Sequence, residues 1–340
     1  MKTMLFLSLI SIFVIVFCSQ SIAKDSFPAG ANESLTFYFT PDWLNNDEVI
    51  YIKRADYYKR SSSIFAQFDQ TDEVFVKREA GVYAYNINTD KTRLIKPFEK
   101  EELDIEKLSS AKNGTKIALV DTRGRLYIMN KDGSDFKMIF FKKDRTKHLD
   151  GSPALVNGSY KVGVHQAWIS PDGTKILYSI GEVDSLYESE TWKGGTRQKL
   201  TKTYSTSQLW IINSDGTENR VLMDGAMEGA WYPDGNKFWV WLIKGGYCQI
   251  DINGNLLGKT ELGKPTAISP NGDRRWSGGW PIGIYKVVDG KEIKIKDVLA
   301  MQGEPVWSPD STKILCFTKN FKDIAVIDKE GSGFKKLTGN

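Results

Sequence analysis

Few residues in this chain are equipped for chemistry. His148 and His165 supply all the imidazole in 340 residues, so a metal site of several histidines or a conventional Ser-His-Asp relay has almost no material. No Gly-x-Ser-x-Gly elbow occurs, and no glycine-rich phosphate loop leads into a helix. What remains is suited to gripping a ligand. His165 and Gln166 stand together in "VHQAW", with Glu228 and Glu304 at comparable points further along. Tyr187 and Trp192 lie in "DSLYESETWKGG". Trp276 and Trp280 lie in "WSGGW", whose glycines would let a backbone or sugar ring come close, although packing between sheets is an equally open reading. Asp172, Asp234 and Asp310 tempt as catalytic carboxylates, but each sits in a copy of one repeated turn, and a residue repeated for turn geometry cannot converge on one substrate. In "DINGN", Asp251, Asn253 and Asn255 lack the distal Glu of a calcium loop, so a turn explains them as well.

The elements that must position these residues are announced by that repeat. "WISPDGTKILYS" from Trp168 has near-copies in "WYPDGNKFWVWL" from Trp231, "AISPNGDRRWSG" from Ala267 and "VWSPDSTKILCF" from Val306, and a weaker one in "SAKNGTKIALVD" from Ser110. Counted from the Ser of "SPDG", the copies start at Ala111, Ser170, Tyr232, Ser269 and Ser308, at intervals of 59, 62, 37 and 39 residues. A unit of roughly 40 residues is the length of a four-stranded propeller blade, and the longer intervals are that unit with insertions. Each copy is followed by an alternating strand and a Gly or Asp turn, as in "RLYIMNKDGS" and "QLWIINSDGT", and "GVYAYNINTD" from Gly81 is a sixth such strand. Alternation places Leu126 and Ile128 on one face and Tyr127 and Met129 on the other, as a sheet packed between two neighbours requires. The Asp-Gly and Asn-Gly pairs at Asp132, Asp215, Asn253 and Asp289 predict two-residue hairpins. Trp168, Trp231 and Trp307 are expected to pack between sheets.

These motifs resemble those of the six-bladed TolB-like β-propellers, over about Leu35 to Leu337. The Gly-His and Trp-Asp pairs of WD-repeat propellers are missing. The resemblance implies an all-β fold, a six-bladed β-propeller of four-stranded antiparallel blades spanning 47–340. Residues 24–46 form an N-terminal segment whose "SLTFYFTPDW" is expected to pair with the last blade and close the ring. Three insertions, Arg54 to Thr71, Phe141 to Val162 and Gly181 to Ser205, are expected to leave from one face, which makes that face the predicted binding surface.

Residues 1–23 have the layout of a signal peptide: Lys2, the apolar run Met4 to Phe17, then small residues at Ser21 and Ala23. Cys18 offers lipid modification as another reading, against which stands the bulky Phe17 before it. Cleavage after Ala23 would leave no transmembrane span and place the protein in the periplasm or outside the cell. The net charge of +4 is spread along the chain, with no basic block that argues for nucleic acid. Cys248 and Cys316 lie in apolar strand-like runs and are expected to be buried free thiols. The expectation is a non-enzymatic envelope module that binds a protein or glycan and needs no cofactor or metal. Oligogalacturonate lyases look similar in scaffold and hold a metal with His and Gln near the channel mouth, so a metal-dependent polysaccharide lyase using His165 and Gln166 is the alternative; the further histidines of such a site are missing.

Overall fold

The computed structural model describes residues 33–60, 73–98, 103–142, 146–156, 158–192, 195–242, 246–259, 269–277, 282–288, 291–299, 301–318 and 322–339. It divides into two units. The smaller holds Met1–Ser34 and Tyr57–Lys77, of which only strand ends are described; the larger holds Leu35–Asp56 and Arg78–Asn340 and contains all the sheets apart from those ends.

All the regular structure described is β. The first sheet contains β1 (Glu33–Trp43), β2 (Glu48–Arg60), β3 (Glu73–Asn86) and β4 (Lys91–Phe98). The second contains β5 (Ile105–Ser110), β6 (Lys116–Asp121), β7 (Leu126–Asn130) and β8 (Lys137–Phe140), and the third β9 (Ser159–Ile169), β10 (Lys175–Trp192), β11 (Gly195–Asn213) and β12 (Arg220–Asp224). β13 (Ala226–Trp231), β14 (Lys237–Leu242), β15 (Gly246–Asp251) and β16 (Leu256–Lys259) make the fourth. The fifth has three strands among the described residues, β17 (Arg274–Ser277), β18 (Ile282–Val288) and β19 (Lys291–Val298). The sixth has β20 (Met301–Trp307), β21 (Lys313–Thr318), β22 (Ile324–Asp328) and β23 (Lys335–Lys336). In every sheet the strands pair in chain order, so each is a meander built from local hairpins.

Neighbouring sheets bury their faces against one another. Tyr127 and Met129 pack with Ile50 and Val82 of the first sheet, while Leu126 and Ile128 pack with Ile176 and Tyr178 of the third, so the alternation read in "RLYIMN" is the observed division of core. The third sheet packs on the fourth through Leu177 and Phe238, and the fifth on the sixth through Trp276 and Trp307. Trp43, Val49 and Tyr51 of the first sheet pack with Leu315, Ile324 and Val326 of the sixth. Chain start thus meets chain end, which is the packing of a β-propeller.

The closure differs from the expectation. β1 is the first strand of the first sheet, paired with β2, and does not join the sixth sheet. The first sheet therefore begins at Glu33 rather than near residue 47. Closure is made face to face by a side-chain bond: Trp43 Nε1 donates to the Val306 carbonyl at 3.0 Å. Trp231 Nε1 makes the same bond to the Trp168 carbonyl, 2.8 Å, between the third and fourth sheets. The junction of last sheet with first is thus built like an internal one.

The repeated turn is a hydrogen-bonded lock. The Ser170 hydroxyl donates to Asp172 Oδ1 at 2.6 Å and accepts from Lys175 N at 2.9 Å, while Asp172 Oδ1 also accepts from Thr174 N at 3.0 Å. Ser308 and Asp310 repeat the pattern, and Asp234 accepts from Asn236 N. These aspartates serve turn geometry. Asp251 likewise accepts from the amides of Asn253 and Asn255. The hairpins expected to be two-residue turns close instead over three residues, with Asn130 N bonded to Ser134 O and Asn213 N to Thr217 O. Gly133 and Gly216, at φ 86° and 97°, supply the left-handed residue that a type I turn needs before the strand resumes. Asp289 lies outside the described residues. Cys248 and Cys316 are buried thiols outside any disulfide, as expected. No helix among the described residues is long and apolar enough to cross a membrane.

Candidate functional site

The first strands of five sheets adjoin one another among the described residues, with Trp43 of β1 reaching Val306 of β20. Thr40 Oγ1 in β1 donates to the Glu106 carbonyl in β5, Ile169 N in β9 donates to Ser109 Oγ in β5, and Trp231 in β13 reaches Trp168 in β9. Four first strands, β5, β9, β13 and β20, are irregular at one level. Between β9 and β10, Gln166 pairs with Ser179 and Val164 with Ile180, which leaves His165 as the extra residue of a β-bulge. Glu106 is the extra residue between Ile105 and Lys107, and Met227 between Ala226 and Glu228. In β20 the pairing skips Gly303, Glu304 and Pro305. In three repeats the extra residue falls five positions before the turn residue Ala111, Ser170 or Tyr232, and in the fourth the skipped stretch starts five before Ser308. A bulge turns its extra side chain out of the regular alternation, so the repeat re-aims side chains at one level of the first strands.

Glu106 and His165 arrive there on adjacent sheets, and neither side chain has a hydrogen-bond or ion-pair partner among the described residues. Both keep exposed surface. Burial nevertheless lowers the pKa of His165, helped by the charge of Lys107. Burial raises that of Glu106, with Lys107 opposing and Asp104 adding to the rise. The Nε2–Cδ2 edge of His165 rests against Gly181, where a Cβ would stand 2.2 Å from Nε2, so only glycine admits this pose. Behind Glu106, Arg54 and Arg78 bind Asp56 at 3.2 and 2.7 Å and approach Asp104 at 3.6 and 3.7 Å. Asp56 is buried, yet its two arginines hold its carboxyl below the usual range against the desolvation that would raise it.

A glutamate whose folded pKa is raised opposes folding once it ionises, so its cost is absent in acid and grows as pH rises through the ordinary carboxylate range. Glu106→Gln is therefore expected to raise the melting temperature at pH 7 and to leave it unchanged at pH 3. A gain at pH 3, or none at pH 7, would contradict the desolvated setting.

The remaining candidates fall in different places. Gln166 is half-buried beside the bulge, and Glu228 is half-buried, paired opposite Trp241 and engaged with another group. Glu304 belongs to the irregular stretch of β20, with its side chain outside the described residues. Trp276 is 1% exposed in the core between the fifth and sixth sheets and cannot meet a ligand, so the packing reading holds for it. Trp280 lies outside the described residues, as does the side chain of Trp192 at the end of β10. Tyr187 is exposed on β10. Glu106 and Lys107 do not stand out in the sequence, although the fixed offset from each turn points to Glu106.

The insertions have more structure than loops. Gly181 to Ser205 continues β10 and β11 as a regular two-stranded ribbon, in register to Trp192 opposite Gly195, with one bulge beside Leu186. Tyr187 is thus a strand residue and not part of a flexible loop. Residues 146–156, from the second insertion, dock on the ribbon's base. His148 Nε2 meets Asp184 Oδ2 at 2.9 Å and Nδ1 meets Ser152 Oγ at 3.0 Å, while Tyr204 stacks on the imidazole with centroids 4.0 Å apart. Asp184 Oδ2 also accepts from Leu155 N, and Glu182 accepts from Leu149 N and the Tyr160 hydroxyl. The order Ser152, His148, Asp184 has the connectivity of a catalytic relay. However, Ser152 is four residues from His148 in a tight turn, and Tyr204 covers the ring, so the arrangement serves as a clamp. Asp150 in that turn is pulled down to about 2 by the Ser152 hydroxyl and amide and by Tyr204. Two insertions are therefore joined by hydrogen bonds and ring stacking; residues 61–72 of the third lie outside the described residues.

No protein-family profile matches the chain, and no curated protein matches it in sequence. Among solved structures it is similar to an oligogalacturonate lyase in complex with manganese, at 10% identity and TM-score 0.46, over 89% of this chain and 78% of that one. An oligogalacturonate lyase from Vibrio parahaemolyticus gives 12%, 0.45, 90% and 86%. The Cps50 β-propeller domain of Myceliophteria thermophila gives 12%, 0.42, 91% and 90%. The fold assignment rests on the sheet order and the contacts at the sheet junctions.

Proposed function

We propose that the six sheets are the blades of a six-bladed propeller of TolB-like type, exported to the periplasm or beyond, which binds a protein or glycan of the cell envelope without catalysing a reaction. The observation that carries this reading is the ribbon of β10 and β11. It projects past both neighbouring strands with Tyr187 and Leu200 about half exposed and directly opposite one another, and it is anchored by three buried groups, His148, Glu182 and Asp184. Holding an exposed aromatic and aliphatic pair on a braced arm removes much of the ordering cost a loop would incur on binding.

The test is capture from envelope extract by the intact protein and by a variant in which residues 187–201, the Tyr187 and Leu200 pair included, are replaced by Asn-Gly between the paired Leu186 and Lys202. This variant spares Glu182 and Asp184, whose loss would undock residues 146–156. Capture by the intact protein, reduced at least tenfold in the shortened one, is expected; equal capture by both would overturn the assignment of the surface.

The second reading, an oligogalacturonate-lyase-like enzyme, is favoured by the imidazole of His165, which has no hydrogen-bond partner among the described residues and stands next to Gln166 in the bulge of β9. A metal fits poorly, since no group of three or more His, Cys, Asp or Glu side chains able to hold one occurs among the described residues. Eliminative cleavage of acidic oligosaccharides that disappears in His165→Ala would establish the enzyme and displace the binding-module reading.

A further inference from the structure

Beyond the blade, the ribbon has two unlike faces and an open edge. Register places Tyr187 opposite Leu200, Ser189 opposite Gln198 and Thr191 opposite Thr196, and alternation puts these six on one face without a charge. The other face carries Glu188 opposite Lys199 and Glu190 opposite Arg197, the latter an ion pair at 2.9 Å. Lys199 and Lys202 have no ion-pair partner among the described residues. β9 accompanies β10 only to Ser185, and β12 accompanies β11 only from Gln208. Among the described residues, positions 195–206 of β11 therefore have a strand on one side only, an edge of about 40 Å.

We propose that this edge of β11 receives an extended acidic segment of a partner protein as an added strand, with Arg197, Lys199 and Lys202 setting its charge preference and the Tyr187 and Leu200 pair packing against its apolar side chains. The inference rests on the binding-module reading and names the partner's chemistry. Unpaired backbone groups along a strand favour another strand over a saccharide, because each bond they form is to a main chain of matching repeat. The cations select among strands. A second copy laying its β11 antiparallel on this one would set Arg197, Lys199 and Lys202 against their own kind, the device by which edge strands avoid self-association. A copy offering Glu188 and Glu190 of β10 would pair head to tail, which does not close into a dimer. An acidic segment meets neither obstacle.

The experiment uses the full mature chain and a fluorescein-labelled peptide of ten alternating Glu and Val residues, read by anisotropy at low salt. A control peptide of equal charge has two valines replaced by proline, which removes the amide donors a ladder needs. Binding of the first peptide is expected, with the proline peptide at least tenfold weaker. The double variant Lys199→Glu, Lys202→Glu is expected to lose at least tenfold, and the milder Lys199→Gln, Lys202→Gln an intermediate amount. Backbone amides of residues 196–206 should exchange more slowly in the presence of the first peptide, a readout independent of the variants' own stability. Failure of the first peptide to bind, equal binding of both peptides, unaltered binding by the charge-reversed variant, or concentration-dependent self-association through the ribbon would each overturn the proposal. If envelope capture depends on the ribbon while the peptide does not bind, the edge chemistry falls and the binding module stands.

Discussion

Trp43→Ala is expected to lower the stability of the protein by about 3–5 kcal/mol, the range for emptying a fully buried tryptophan site. Trp43 is 0% exposed and packs among Tyr51, Leu315 and Val326, so the substitution leaves a cavity where the first and sixth sheets meet. The indole also donates to the Val306 carbonyl. Trp43→Phe retains most of the ring and isolates that bond, for which a loss of about 1–2 kcal/mol is expected. Trp231→Phe removes the equivalent bond at an internal junction, where the indole is half-buried, and should cost less. Urea denaturation with a common slope measures all three. An unchanged midpoint for Trp43→Ala would mean that the contact of last sheet with first contributes nothing to the cooperative unit.

The second large effect concerns the clamp. His148→Ala removes the side-chain partner of Asp184, a carboxylate at 0% exposure that would keep only the Leu155 amide and whose Oδ1 already has no hydrogen bond in the structure. A loss of about 3 kcal/mol is expected, since stranding a buried charged group costs more than the bond itself contributes. Combining it with Asp184→Ala should cost less than the sum of the single changes, because the stranded charge is then gone. The damage should be local before it is global: proteolysis within residues 146–156 is expected in His148→Ala under conditions where the sheets stay folded. Strict additivity of the two substitutions, with no new cleavage, would show that His148 and Asp184 do not act as a pair.

Much of the architecture is legible in the sequence because it repeats. The "SPDG" copies fix where each first hairpin turns, and the alternation in "RLYIMN" assigns Leu126 and Tyr127 to different inter-sheet cores before any packing is known. Closure is not legible in this way. "SLTFYFTPDW" has strand character, but strand character does not name a partner, so nothing local distinguishes a ring-closing addition from the ordinary first strand of the first sheet that it is. The hairpin lengths escape for a related reason: Asp-Gly signals a left-handed residue, while the number of residues in the turn depends on register with the next strand.

The candidate site divides along the same line. His165 stands out because histidine is scarce. Glu106 does not, because one glutamate among many carries no signal, and its importance comes from a bulge that depends on how β5 pairs with β6. Trp276 is indistinguishable from a ligand-stacking tryptophan until the sixth sheet covers it. The insertion Gly181 to Ser205 looks like a loop because strand periodicity in an arm solvated on both faces is not reinforced by hydrophobic alternation.

By itself, the sequence determined the period, the turn chemistry and the two faces of the strands, since these depend on residues within about 40 positions of one another. The tertiary structure alone decided which sheet meets which, which side chains the bulges re-aim, and that His148 is spent on bracing an arm. Those outcomes depend on contacts between residues distant in the chain, such as the 263 positions separating Trp43 from Val306, for which no local pattern of residue types is diagnostic.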